Sequence, residues 1–447
     1  MTEEILSILD PFVNKAMKLG ADEVELFARQ RKQKTVNFEA NNLKSAVSTL
    51  IEGVGIRVLK NKSLGFASVN TLKKNKINEG LKEAFAIAKV SPPEEFYILP
   101  KKQKITQIPN LFDEAIINIS MDDAIEYSNN LLKSSLKIDS RISIDSGNFE
   151  ATEDYFAIVN SNGINAFDKK SDFSYGLFGM AIDGDDIGSF DAEFDAVVNE
   201  SEINIQKTAE EFGNKVLQNL NAKKTESFEG PAIFSPDAAQ LVFYLVIEAA
   251  KASNIQTGSS YLQDKLGDKI AVDNLSLIDD GTLPNSPGSR SFDREGVPHK
   301  KLNVIENGTF TGVFYDTFTA NKENLKSTGH AGGSFRNIPN ISTTNLDIKP
   351  GKISIDDIIS EIKHGILIQR ISAAPDPISG DYSGAIKGGK LIKNGEITGT
   401  LKEVSAVGNV FTGLKNISSI SKEQKPFRGT PSWFVPYIVI DDMKFIS

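Results

Sequence analysis

The chain has 447 residues, 50 basic and 59 acidic, and a net charge of −9. That length exceeds the roughly 250–300 residues at which a single hydrophobic core stops growing, which predicts two or three domains. The acidic balance argues against binding to phosphate backbones. The absence of cysteine excludes disulfides, thiolate catalysis, iron–sulfur clusters and any zinc site with a cysteine ligand. Met1-Thr2-Glu3-Glu4 is acidic where a secretory leader is basic. The longest largely apolar run, roughly Ala238 to Ile247, is about half the ~20 residues a bilayer span needs, and Glu248 closes it. A soluble cytoplasmic protein is expected, with neither a membrane nor direct nucleic acid among its partners.

Ile5, Ile8, Leu9, Phe12, Val13, Ala16 and Met17 form one helical stripe, with Gly20 placed to end it. Strand-like alternation follows at Val24–Ala28 and Val36–Phe38, then at Ala46–Leu50, Gly55–Leu59 and Leu64–Val69. A second helix carries Ile77, Leu81, Ala84, Phe85 and Ala88. Ser91-Pro92-Pro93 stops regular structure, and a linker with Lys101, Lys102 and Lys104 runs to about Ser120. A helix over Met121–Leu136 opens a middle segment. Strands follow at Ile142–Ile144, Tyr155–Val159 and Ile164–Phe167, the last two joined by Asn162-Gly163, and a helix from about Ile203 to Leu220 closes it.

The third segment starts near Glu229 with the short strand Ala232–Phe234. Ser235-Pro236 is a helix start, an N-cap hydroxyl with proline in the first turn. Ala238 to about Ala252 is the most apolar helix in the chain. Strands are predicted at Leu302–Ile305, Phe310–Tyr315, Lys390–Ile392, Ile397–Leu401 and Tyr437–Ile440, with Asn-Gly turns at 307–308 and 394–395. The reading is an α+β protein: residues 1–92 a meandering sheet with two covering helices, 93–224 a linker and middle domain, and 225–447 a largely antiparallel β domain around a buried apolar helix.

Motif by motif, chemistry is sparse. The three histidines, His299, His330 and His364, lack the one-turn spacing that brings two imidazoles to one zinc. His330 lies in Ser327-Thr328-Gly329-His330-Ala331-Gly332-Gly333, read as a mobile loop, where it either contacts a substrate or partner or bonds to backbone; His299 and His364 read as surface residues. Gly384–Leu391 imitates a phosphate loop but has Leu391 where Ser or Thr belongs and a hairpin where a helix belongs. Asp183–Gly188 imitates a calcium loop, with Ile187 in place of an oxygen ligand; an acidic hairpin turn is the better reading. No Gly-x-Ser-x-Gly elbow occurs. Glu248, an acid on an apolar helix, is expected to have a raised pKa if unpaired. It is either a relic of a catalytic helix or the point where the helix meets solvent.

Several segments together resemble the TldD/PmbA family. They are Ala21-Asp22-Glu23-Val24-Glu25, Gly53-Val54-Gly55-Ile56-Arg57-Val58 and Leu64-Gly65-Phe66-Ala67. In the third segment they are Ile278-Asp279-Asp280-Gly281-Thr282-Leu283-Pro284, Asp293-Arg294-Glu295-Gly296-Val297-Pro298, Ser327–His330, Gly380-Asp381-Tyr382-Ser383-Gly384-Ala385 and Val407-Gly408-Asn409. The resemblance spans essentially the whole chain. It implies a pair of related subunits, of which the TldD type is similar to a zinc peptidase with His-Glu-x-x-x-His on the helix matching the apolar helix here. The corresponding slots fall near Phe243 and Glu248, within a residue or two, and no histidine or cysteine is available; this matches the PmbA branch, also called TldE. The resemblance thus implies no metal in this chain and zinc in a partner subunit.

The leading expectation is a non-catalytic subunit of a cytoplasmic metallopeptidase acting on peptides and small unfolded proteins, paired with a TldD-type subunit or with itself. Gly380, Asp381, Ser383 and Gly384, then Gly329 and His330, are the candidates for a peptide cleft or partner contact; tight turns explain the glycines equally well. Two alternatives stand: an indirect modulator, for example of DNA gyrase poisons, without peptidase activity, and an independent enzyme using carboxylates and His330.

Overall fold

The structure is a computed structural model that describes residues 2–447; of the acidic N-terminus, Met1 lies outside the described residues. Helix α1 (Thr2–Lys18) is followed by three long strands, β1 (Glu23–Glu39), β2 (Asn42–Lys60) and β3 (Ser63–Val69), and by helix α2 (Lys74–Val90). After the linker come α3 (Met121–Ile138), β4 (Ile142–Asn160), β5 (Asn165–Asp183), β6 (Asp191–Val197) and α4 (Ile205–Leu217). The expected strands at 142–144 and 155–159 are parts of the one strand β4. Antiparallel pairing runs in the order β3-β2-β1-β4-β5-β6, so one sheet is shared by the first two sequence segments. Pairing of β1 with β4, from Glu25↔Asn160 to Glu39↔Ser146, joins them.

Strand alternation decides what each face does. On β1, Val24, Leu26 and Ala28 pack under α1 and α2, while Val36 and Phe38 pack with the cluster around α3 and α4. Gly65 permits the close approach of α2, because a Cβ there would lie 1.8 Å from the Ala84 carbonyl oxygen. The odd residues Glu25, Phe27 and Arg29 face away from the helices, toward the C-terminal half. There Phe27, Phe156 and Ile158 meet Phe292 and Phe335 in a small apolar cluster.

The C-terminal half contains β7 (Phe228–Phe234), α5 (Pro236–Ala249), β8 (Leu277–Asp280), β9 (Ala331–Gly332), β10 (Asn340–Ile341), β11 (Asn345–Ile348), β12 (His364–Ile368), β13 (Asp381–Lys387), β14 (Ser405–Asn409) and β15 (Ser432–Ile446). Its large sheet is mixed, not merely antiparallel: β11 runs parallel to β15, and β12 parallel to β7. Ser235 caps α5 through the Ala238 N–H, with Pro236 in the first turn, as its sequence predicts. Phe310–Tyr315 is not a full strand. After Thr309–Phe310 the chain turns so that Phe314 exchanges backbone hydrogen bonds with Ala250 and Ala252, beside the end of α5. Asn307-Gly308 and Asn394-Gly395 both have positive φ at each residue, the hairpin geometry expected of them. Asn162-Gly163 differs: only Gly163 has positive φ, and the Asn160 side chain organises the turn by accepting the N–H groups of Asn162 and Ile164.

The halves are tied by a buried ionic cluster. Arg57 on β2 binds Glu25 on β1 through two nitrogens and donates to Glu295 at 2.8 Å; Arg294 donates to Glu25 at 2.9 Å. Burial alone would raise the Glu25 pKa, but the charges of Arg57 and Arg294 outweigh it and hold the carboxyl below its ordinary 4.5. A depressed carboxyl stabilises the fold fully above the unfolded value and loses that contribution as pH falls through the folded one. Glu25→Gln leaves two buried guanidinium groups short of a charge. It should cost about 3–5 kcal/mol in urea unfolding at neutral pH, with the gap from the parent protein narrowing as the medium is acidified below pH 4.5.

Candidate functional site

Between the two halves lies a cleft of about 340 Å³. Its lining includes Arg29 from β1 and, from α5 and the turn after it, the exposed Tyr244, the buried Ile247, Glu248 and Lys251. Arg290, Asp293, Arg294 and His299 supply a further wall, and Ala331–Gly333, Ile341–Thr344, Thr430, Pro431 and Trp433 complete the lining. Through Arg29, Arg290 and Thr430 it adjoins a second, more polar cavity of about 570 Å³.

The Asp293–Pro298 segment shapes this site. The Asp293 carboxylate accepts N–H groups from Glu295, Val297 and Ala331, folding its own loop and fastening it to β9. Burial, reinforced by the charge of Glu295, pushes the Asp293 pKa well above the ordinary value. Glu295 turns away to Arg57 and to the Thr317 N–H, so Arg294 and Glu295 fasten the cleft wall to the N-terminal sheet. Gly53 and Gly55 serve the same junction: a Cβ on either would lie within 2.5 Å of Phe335.

The structure separates the residues singled out from the sequence. Phe243 is fully buried in the C-terminal core, whereas its neighbour Tyr244 is 54 % exposed on the cleft side. Glu248 does line the cleft, but it is not unpaired, since Lys251 Nζ lies 2.6 Å from its carboxylate. His330 is not in an open loop. Its ring is fully buried: Nε2 is 3.2 Å from Asp279 and donates to that carboxylate, Nδ1 is 2.9 Å from the Thr328 hydroxyl, and the edge-on ring of Phe314 packs beside it. Asp279 also accepts the Thr344 N–H at 2.8 Å. An enzyme using His330 directly has no support here, because solvent does not reach the imidazole. Gly329 lies behind the same wall, its Cβ position 2.5 Å from the Pro298 oxygen.

Gly380, Asp381, Ser383 and Gly384 lie elsewhere. They lead into or belong to β13, which pairs with β14 so that Asp381 faces Asn409, and Asn409 donates to the Asp381 carboxylate at 2.7 Å. The glycine-tyrosine segment and Val407-Gly408-Asn409 therefore brace each other, outside the cleft lining. The cleft residues that sequence reasoning missed are Arg29, Tyr244, Arg290 and Trp433. His299, expected at the surface, is half-buried, lines the cleft and has no hydrogen-bond partner for Nδ1 among the described residues. Burial, then the neighbouring His330, lowers its pKa well below the usual imidazole value. The β9 edge is not free for an added strand at Ala331, whose N–H and carbonyl are taken by Asp293 and Arg294.

The residues present do not fit a zinc ion. A catalytic zinc takes about three nitrogen, sulfur or carboxylate ligands converging on one point. Here Glu248 is neutralised by Lys251, and the Asp293 oxygens are filled by backbone N–H groups. The charge of Glu248, with some burial, keeps the Tyr244 phenol protonated by raising its pKa. His299 is left without a second ligand. No three His, Asp or Glu side chains converge among the described residues, and no described helix is long and apolar enough to cross a membrane.

Comparison with known proteins identifies the relatives of this arrangement. Family models described as PmbA/TldA metallopeptidase domain 1, central domain and C-terminal domain match residues 24–89, 114–220 and 227–447. The solved structure of TldE from Thermococcus kodakarensis is similar with TM-score 0.91 and 26 % identity, covering 98 % of this chain and 100 % of that one. An uncharacterised protein of Methanocaldococcus jannaschii is 26 % identical over 408 residues, 90 % of this chain and 93 % of the relative. The metalloprotease PmbA of Escherichia coli O157:H7 is 24 % identical over 426 residues, 93 % of this chain and 92 % of the relative.

His330→Ala separates a bracing role from a ligand contact. Loss of the Asp279 partner and of the packed ring should lower unfolding stability by about 2–4 kcal/mol. A surface ligand contact would leave the denaturation midpoint unchanged.

Proposed function

We propose that this chain, which belongs to the PmbA/TldD metallopeptidase family, is the non-hydrolytic subunit of a two-subunit cytoplasmic zinc peptidase. In this reading a TldD-type sister holds the zinc and performs the cleavage. The present subunit supplies part of the chamber that receives peptides and small unfolded proteins. One observation carries the reading: the cleft face of α5 offers Tyr244, Ile247 and a Glu248 already bound to Lys251. A metal-activated water needs an open position on a firmly held ion, and these side chains cannot hold one. The likeness to TldE from Thermococcus kodakarensis supports the same assignment. The net charge of −9 gives no basis for direct DNA contact, so any influence on a DNA enzyme would run through turnover of another protein.

Metal analysis of the chain purified alone should find zinc far below one atom per chain, and unfolded peptides should survive incubation with it. Adding the TldD-type sister should produce cleavage and a complex on size-exclusion chromatography. Stoichiometric zinc in the isolated chain, or cleavage by it alone that a chelator abolishes, would overturn the assignment.

A further inference from the structure

Among the described residues, one arginine lining the cleft makes no ion pair. Arg29 is held by Asp154 at 2.7 Å, Arg294 by Glu25 at 2.9 Å, and Glu248 by Lys251 at 2.6 Å. Asp293 is satisfied by three backbone N–H groups. Arg290 makes neither an ion pair nor a side-chain hydrogen bond among the described residues; its guanidinium carbon lies 4.9 Å from the centre of the Phe156 ring. It stands where the two cavities meet. Burial, followed by repulsion from Arg29, lowers its pKa from the ordinary arginine value, and the charges of Asp154 and Asp168 offset this only in part. Arg290 is half-buried, and a partly desolvated guanidinium with no bonded anion gains from one, its planar fork matching a carboxylate in charge and shape.

We propose that Arg290 is a carboxylate-binding residue and takes the C-terminal carboxylate of a short peptide. The last side chain of that peptide would lie against Tyr244, Ile247 and Trp433. Lys170 in the adjoining cavity also makes no ion pair among the described residues but feels the carboxylates of Asp172 and Asp154, which leaves Arg290 as the cation on the cleft side for a singly charged carboxylate. A phosphate carries nearly two charges and would bring them up against the carboxylates of Asp154 and Asp168, whose charges already act on Arg290. The apolar groups on the same cleft give a reason to prefer a peptide end over a free small acid. The inference deepens the peptide-chamber reading above, and its test needs neither zinc nor a sister subunit, so the two can fail separately.

Trp433 is the single tryptophan of the chain and lines the cleft, so its fluorescence reports on occupancy. The full-length chain is titrated with an N-terminally blocked tripeptide ending in leucine, as free acid and as C-terminal amide, with calorimetry as a second readout. Acetate and inorganic phosphate are the further probes. The free acid should bind saturably and at least about tenfold more tightly than the amide, with acetate and phosphate weaker than either acid-peptide measurement. Arg290→Met should abolish the acid–amide difference, and Arg290→Lys should restore part of it, with thermal melts confirming that both variants fold. Equal affinity for acid and amide, no binding of the acid at millimolar concentration, phosphate or acetate binding as tightly as the peptide acid, or an undiminished difference in folded Arg290→Met would each overturn the proposal.

Discussion

The geometry of the cleft depends on the buried cluster of Glu25, Arg57, Arg294 and Glu295. Two of these residues belong to adjacent strands of the N-terminal sheet and two to one loop of the C-terminal half. Burying four charges is costly unless each is matched and hydrogen-bonded, and here each guanidinium meets a carboxylate. The cluster is specific in direction as well as charge, because arginine forks constrain the planes of their partners. It therefore fixes where the Asp293–Pro298 loop stands against the sheet. That loop carries one wall of the cleft, and its neighbour Arg290 reaches the point where the two cavities join.

Around this tie the remaining family segments act as braces. Asp279 on β8 holds His330 and Thr344, so the strand, the glycine-rich segment and the chain entering β11 meet at one carboxylate. Gly53 and Gly55 make room for Phe335, and Gly380 and Gly408 make room for Phe411 and Tyr382. These segments are concerned mostly with how the two halves and the large sheet are assembled. The Asp293–Pro298 segment also contributes Asp293 and Arg294 to the cleft, where they join side chains from β1, α5, Arg290, His299 and the β15 entrance.

The cleft face of α5 combines a family helix with side chains that do not make up a zinc ligand set among the described residues. Helix capping by Ser235 and Pro236 and the apolar core beneath the helix are intact. Only the side chains on the outward stripe differ from what zinc requires. An ammonium at Lys251 occupies the carboxylate that would otherwise be the strongest donor on the stripe. A scaffold preserved in this way still presents a shaped, half-apolar cleft.

Much of the fold was legible locally. Helices α1, α2, α3 and α5 follow from apolar spacing and caps, since those patterns act within a few residues of the chain. The order of the family segments pointed to the PmbA/TldD family before any geometry was known. Tertiary structure decided the rest. Arg57 and Glu295 pair across 238 positions, and no local pattern announces such a contact. The same holds for the parallel pairings in the C-terminal sheet, for the burial of His330 and for the shielding of Glu248 by Lys251. Arg290 is the clearest case: in the sequence it is an ordinary arginine among serines and glycines. Only the fold, by giving every neighbouring cleft charge a partner and leaving this one without, sets it apart.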